Sequence, residues 1–385
     1  MKSILNRDEV QLVGALDISR SATGLIPRRL PAWAWNQIHD PLFQFTVATA
    51  SGIRAVFVSN TDALELDAML TGVEFPERSG PLPRFDLVVD GETVATQQSG
   101  DGGRWVVGTG NGPNGYDIEF RAGGPSAVRF DGLGSEMKRI ELWLPQNCMI
   151  ELRDLRISEG ALLEAASMTA RRWIHYGSSI SQCSEADGPT ETWPAVAARL
   201  AGVDLLSLGF GGQCQLDQCV ARTMRDLPAD AISVKVGINV VNGDTMRERA
   251  FIPALHGFLD TLRDGHPQTP LIVATPIIYP AGEAHPGPSI VRDGTSAVVA
   301  RPEELALGAL SIGRIRQLIA DVVDRRKKAG DANLHLLDGR ELFDEPDLAD
   351  LPDGLHPNTA GYRRMGERFA ALAFAEGAPF AGITQ

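Results

Sequence analysis

Near residue 166 the sequence changes rhythm. Before that point, short apolar runs are separated by Gly, Pro, Asn and Asp, and helical periodicity is scarce. Residues 43–47 alternate apolar and polar and read as a strand, 53–58 are β-rich, and 85–89 face Thr93 and Val94 across Asp90-Gly91, a strong hairpin signal. Residues 118–120, 128–130, 140–144 and 150–152 continue the pattern. Strand after strand at this spacing predicts an all-β, jelly-roll-like sandwich over residues 1–166.

After residue 166, strand and helix patterns take turns. Apolar runs at 172–176, 203–208, 231–236, 271–275 and 333–337 are separated by helical stretches at 191–201, 213–227, 246–264 and 302–329, with a last one at 358–376. In the fourth stretch Ile315, Leu318, Ile319, Val322 and Val323 share one face, the spacing of a helix packed on a sheet. Residues 167–385 therefore predict a flavodoxin-like, doubly wound, parallel five-stranded domain, whose sites lie at the carboxyl ends of the strands. The Gly/Pro-rich residues 277–301 are too long for an ordinary connection in such a domain. They read as a lid or substrate loop, or as a solvated insertion.

Composition narrows the partners. A formal net charge of −13 argues against nucleic acid or an anionic membrane as the main partner. The first ten residues turn polar too soon for a secretory signal and no later run is apolar long enough to span a bilayer, which predicts a cytoplasmic protein. Cys148, Cys183, Cys214 and Cys219 are too few for a disulfide framework, lack CxxC spacing and read as buried or semi-buried thiols. No HExxH or carboxylate cluster suggests a metal, and no bound cofactor is expected. Nothing in the sequence indicates an oligomeric state.

The carboxyl end of the first strand of the second half carries Gly177-Ser178-Ser179, which delivers a hydroxyl to a fixed place at the sheet edge, although Gly-Ser-Ser is also ordinary turn chemistry. Far downstream, Asp353 and His356 lie three residues apart, followed by Asn358-Thr359 as a helix N-cap. Together they suggest a nucleophile, its base and the group that orients the base. Two more strand ends offer donors for an oxyanion, a glycine N–H within Gly209-Phe-Gly211-Gly212 and the Asn239 amide after Gly237-Ile238. Ser178 and Ser181 stand close enough to be confused with Ser179, and His175, one strand position from the site, is a candidate pocket residue. Trp33, Trp35, Trp105 and Trp143 are either core or a sugar-stacking platform.

Taken in order, these blocks resemble the SGNH hydrolases, the GDSL-like lipase/acylhydrolase family, over about residues 171–375. The resemblance implies Ser179 as nucleophile, Asp353 and His356 as the rest of a catalytic triad, and an oxyanion hole from Ser179, Gly212 and Asn239. Two positions depart from the family pattern: Ser178 and Val240 stand where carboxylates are usual, so the hydrogen bonds that brace those loops must differ. A sandwich ahead of such a domain is similar to the layout of some carbohydrate esterases, where it resembles a carbohydrate-binding module. Length and layout also resemble a GDSL-type acyltransferase acting on a tetracycline-class polyketide. The expected reaction is transfer of an acyl group, such as salicylyl, from a CoA-type thioester to a hydroxyl of a small molecule through an acyl-enzyme, with ester hydrolysis as side or main activity. Carbohydrate O-deacetylation is the alternative, and a glycan-binding protein with a vestigial hydrolase domain is another.

Overall fold

Asp90 and Gly91 both take positive φ, 47° and 90°, and fold strand Arg84–Val89 back on strand Glu92–Gln98 as the Asp-Gly pair predicts. This hairpin belongs to the N-terminal of two units in the structure, a computed structural model that describes residues 1–75, 80–109 and 116–384. The unit is built from an eight-stranded and a six-stranded sheet. Strand Leu64–Glu74 contributes Leu64, Leu66 and Leu70 from the first, strands Arg54–Ser59 and Lys138–Trp143 contribute Phe57, Ile140 and Leu142 from the second, and all six sit in one apolar core.

Residues 43–47 are not a strand. They lie in helix Pro41–Ala48, where Asp40 caps the N–H groups of Leu42 and Phe43 and Pro41 occupies the first turn. This local start signal outweighs the apolar alternation. Trp143 is core, its indole N–H held by Glu141 at 3.1 Å under the Arg54 guanidinium, and Trp105 packs on Phe45 at 5.3 Å. Of the four tryptophans only Trp33 is exposed. The unit also takes in Ser184–Glu191, where the buried Asp86 carboxylate accepts from Thr190 N and Oγ1 at 3.1 and 2.7 Å.

The second unit comprises Asn36–Ile38, Ala170–Cys183 and Thr192–Gln385. Its strands β1 (Arg172–Gly177), β2 (Asp204–Gly209), β3 (Ala231–Lys235), β4 (Leu271–Ala274) and β5 (Leu334–Leu337) form one parallel sheet in the order β2-β1-β3-β4-β5. Strands β2 to β4 are buried along their whole length, as expected for a sheet covered on both faces. The helices are α1 (Ser179–Gln182), α2 (Trp193–Ala201), α3 (Gln218–Asp226), α4 (Ile238–Gly243), α5 (Glu248–Gly265), α6 (Glu303–Ala306), α7 (Ile312–Lys328) and α8 (Thr359–Phe374).

The face of α7 carrying Ile315, Leu318, Ile319, Val322 and Val323 is buried. The expected single helix over 302–329 is interrupted between α6 and α7, where Ser311 caps the N–H of Arg314 and starts α7 afresh. The short helices α1 and α4, each directly after a strand, give too few residues for a periodic signal. Residues 277–301 carry structure of their own: strands Ser289–Arg292 and Thr295–Val298 pair across Asp293-Gly294, both at positive φ. Among the described residues no helix is long and apolar enough to cross a membrane.

Candidate active site

Strand β1 ends at Gly177, and Ser178 begins α1 as its N-cap, its Oγ accepting the N–H of Ile180 at 3.3 Å. Ser179 is thereby the first residue of a helix, so its own N–H has no carbonyl partner within that helix. A Cβ at Gly177 would collide with Ser181, and one at Gly209 with the backbone of Ser181 and Gln182, so both glycines let α1 settle on the strand ends.

Ser179 Oγ lies 2.9 Å from His356 Nε2, and His356 Nδ1 lies 2.8 Å from Asp353 Oδ2. The other Asp353 oxygen accepts the N–H groups of Leu355 and His356 at 2.9 and 2.6 Å, which fixes the turn that carries the imidazole. Asn358 then caps α8 through the N–H of Gly361 at 3.0 Å. The three side chains thus form one hydrogen-bonded line from a partly exposed hydroxyl to a carboxylate, an arrangement able to remove and return the hydroxyl proton.

The donor groups are registered to each other. Asn239 sits in the first turn of α4, and its Oδ1 accepts the backbone N–H of Cys214 at 3.0 Å, which assigns Nδ2 as the donor end of the amide. Gln215 Nε2 donates to the Asn239 carbonyl at 3.2 Å while its Oε1 accepts from Thr245 at 2.6 Å, a second tie between the Gly212 loop and α4. Gly212 has φ 73°, and a Cβ placed there would meet nothing within 4 Å, so its requirement is conformational and not steric. Next to it, the N–H of Gly211 donates to Gln182 Oε1 at 2.9 Å and joins the loop to α1.

Residues 175–364 match the GDSL-like Lipase/Acylhydrolase family. This part of the chain is a GDSL-like lipase/acylhydrolase domain. The protein is an enzyme, and Ser179, Gly212, Asn239, Asp353 and His356 all fall inside the matched span of the GDSL-like domain. No curated protein matches the sequence. Among solved structures, the salicylyl-acyltransferase SsfX3 from a tetracycline biosynthetic pathway is 26% identical, with 95% of each chain covered and a TM-score of 0.76. A family two carbohydrate esterase from Clostridium thermocellum is 14% identical over 84% of this chain and 91% of that one, TM-score 0.56. An acetyl xylan esterase from the rumen bacterium Butyrivibrio proteoclasticus is 12% identical over 96% of each chain, TM-score 0.53. The last two share the fold.

Further side-chain hydrogen bonds brace the strand ends of the GDSL-like domain. Beneath α1, His175 holds Ser181 Oγ through Nε2 at 2.8 Å and Ser233 Oγ through Nδ1 at 2.7 Å, and Ser233 also accepts the Trp173 indole N–H at 2.9 Å. His175 is therefore not a pocket residue: it is 1% exposed and packed edge-on to Trp193 at 4.6 Å. Burial, then the nearby Lys235 charge, lower its pKa to about 3 and keep the imidazole neutral. Ser178 and Ser181 are both buried and committed to these braces, which leaves Ser179 as the hydroxyl facing His356.

Two further buried groups flank the donor loop. Burial raises Asp217 to about 6 and lowers Lys235 to about 8, and the Lys235 Nζ has no hydrogen-bond partner among the described residues. Burial likewise pushes the Cys214 thiol up to about 12, so it is held as an unreactive thiol. All four cysteines are buried thiols. Among the described residues no cluster of His, Cys, Asp or Glu could hold a metal ion. Gln182, Gln215 and the His175–Ser181 pair carry no sequence signal of their own, since each acts on a segment remote in sequence or shares its type with many solvent-facing residues.

Proposed function

We propose that the protein is a serine acyltransferase that moves an aryl acyl group, of which salicylyl is the type, from a CoA-type thioester to a hydroxyl of a small molecule such as a polyketide. The hydrogen-bonded line Ser179–His356–Asp353 carries the reading of covalent acyl transfer. The match to a salicylyl-acyltransferase over 95% of both chains favours transfer over deacetylation.

Ser179 Oγ attacks the thioester carbonyl while its proton passes to His356 Nε2, and Asp353 holds the tautomer and steadies the imidazolium. The tetrahedral oxyanion is received by the N–H groups of Ser179 and Gly212 and by Asn239 Nδ2, each donor worth ~3 kcal/mol at the transition state. Collapse expels the thiolate, which takes the proton from His356 and leaves the acyl group on Ser179. The acceptor hydroxyl then gives its proton to His356 and attacks the acyl-enzyme, and the returning Ser179 oxygen recovers that proton. Water in place of the alcohol gives hydrolysis.

Intact-protein mass spectrometry after mixing wild type and Ser179→Ala with a panel of acyl-CoA thioesters tests this reading. An adduct of acyl mass on the wild type alone supports it and names the donor. Hydrolysis of acetylated sugars with no adduct from any thioester would replace it with carbohydrate deacetylation. No reaction with either, nor with a fluorophosphonate, would point to a glycan-binding protein whose hydrolase domain is vestigial.

A further inference from the structure

Residues 277–301, the long connection after β4, hold a buried phenol at the centre of an ordered hydroxyl chain. Tyr279 is fully buried, and its Oη donates to Ser289 Oγ at 3.1 Å; Ser289 Oγ in turn donates to Asn242 Oδ1 at 3.0 Å on α4, the helix that begins with the Asn239 turn. With its only hydrogen spent on Ser289, Tyr279 Oη accepts from Ser296 Oγ at 2.8 Å. Ser296 lies on the second strand of the hairpin, and its backbone N–H donates to the Asp353 carbonyl at 2.8 Å. One phenol thus joins the helix that offers the amide donor to the turn that carries the base.

The phenol is itself anchored. The N–H of Tyr279 donates to Glu283 Oε1 at 2.9 Å, and the Arg316 guanidinium of α7 clasps both Glu283 oxygens at 2.6 and 2.7 Å while donating to the carbonyls of Pro276 and Ile277. On the other side, Arg301 pairs with Asp244 at the end of α4 and donates to the Gly287 carbonyl. A chain of hydroxyls running one way polarises its members and resists being broken at one link.

We infer that Tyr279 is a positioning residue that sets Asn239 of the oxyanion site against the Asp353–His356 turn through Ser289 and Ser296. The inference rests on the assignment of Ser179, Asn239 and Asp353 above, and not on the identity of donor or acceptor. Misplacing a donor by about 1 Å costs on the order of a hundredfold in rate, so an element that fixes two arms together acts mainly on kcat.

The test is hydrolysis of 4-nitrophenyl acetate by full-length protein, with active sites counted by fluorophosphonate labelling. Tyr279→Phe keeps the ring and deletes the oxygen; it is expected to lower kcat at least tenfold with KM within about twofold. In an Asn239→Ala background the same change is expected to cost less than threefold, because the donor it positions is gone. Unchanged kcat in Tyr279→Phe, or an equal loss in both backgrounds, would overturn the inference. Should Tyr279→Phe fail to fold, Ser289→Ala leaves the phenol in place, cuts the link to Asn242 and is read by the same cycle. Activity retained by Ser179→Ala would defeat the underlying assignment; an inactive Ser179→Ala beside an unimpaired Tyr279→Phe would defeat the inference alone.

Discussion

Asp353 grips His356 twice, through the backbone N–H with one oxygen at 2.6 Å and through Nδ1 with the other at 2.8 Å. One carboxylate therefore shapes the turn and orients the ring it carries. The two duties separate under mutation. Asp353→Asn retains an oxygen for the backbone N–H groups but cannot stabilise the imidazolium, so kcat is expected to fall about 10³- to 10⁴-fold with little change in the unfolding midpoint. Asp353→Ala is expected to lose comparable activity and also about 1 kcal/mol or more of stability, from two uncapped N–H groups. Ester hydrolysis and urea unfolding, run on both variants, check the split.

The donor pair is expected to behave likewise. Asn239→Ala removes Nδ2 and also strips the Cys214 N–H of its acceptor, so the loss combines a missing donor with a loosened Gly212 loop. A fall in the acylation rate of about 10²- to 10³-fold is expected, read by stopped-flow release of 4-nitrophenol. Gly212→Ala meets no neighbour but must hold φ 73°, so it is expected to unfold at a lower midpoint by about 1 kcal/mol with its rate reduced as the N–H turns away.

His175 ties stability to pH. Its folded pKa of about 3 lies below the ordinary value of 6.5, so between those values the unfolded chain binds a proton that the folded one refuses. Wild-type stability is therefore expected to fall as pH drops from 6.5 towards 3, by up to about 1.4 kcal/mol per pH unit from this group. Asp217, raised to about 6, contributes with the opposite sign as pH rises from 3.8. That contribution is common to wild type and His175→Gln. The difference between their urea-unfolding free energies, measured from pH 4 to 7, isolates the histidine: the wild type should have the steeper acid loss.

Lys235 is a cost to the fold. A fully buried ammonium without a hydrogen-bond partner among the described residues, its pKa depressed from 10.5 to about 8, disfavours folding at neutral pH by roughly 3 kcal/mol. Lys235→Met is expected to raise the unfolding midpoint at pH 7. Above pH 8 the folded amine loses its proton while the unfolded one keeps it, so wild-type stability rises and the gap to Lys235→Met closes by about pH 10.5. A gap that stayed constant with pH would show that packing and not charge separates the two.

Much of this protein was decided locally. The alternation of β-rich and helical stretches after residue 166 is enough to indicate a five-stranded parallel sheet, because the strands and the longer helices announce their own periods. The positions of Ser179, Gly212, Asn239 and the Asp353–His356 pair at strand ends and in a loop follow from short motifs, each readable within a few residues. Local chemistry also misled: the alternation in 43–47 matched a strand, and only the Asp40-Pro41 start signal explains the helix found there.

What the linear order could not decide was which remote groups meet. Ser179 and His356, 177 positions apart, come within hydrogen-bonding distance because parallel strands deliver their carboxyl ends to one edge. Ser179 rather than Ser178 or Ser181 faces the imidazole because helix geometry turns its neighbours inward, towards the Ile180 N–H and His175. The braces Asn239 on Cys214, Gln182 on Gly211 and Tyr279 between two serines are single side chains acting across chain segments. Their partners are set by packing, in which most buried polar groups find a hydrogen bond, and that requirement leaves no periodic trace in a sequence.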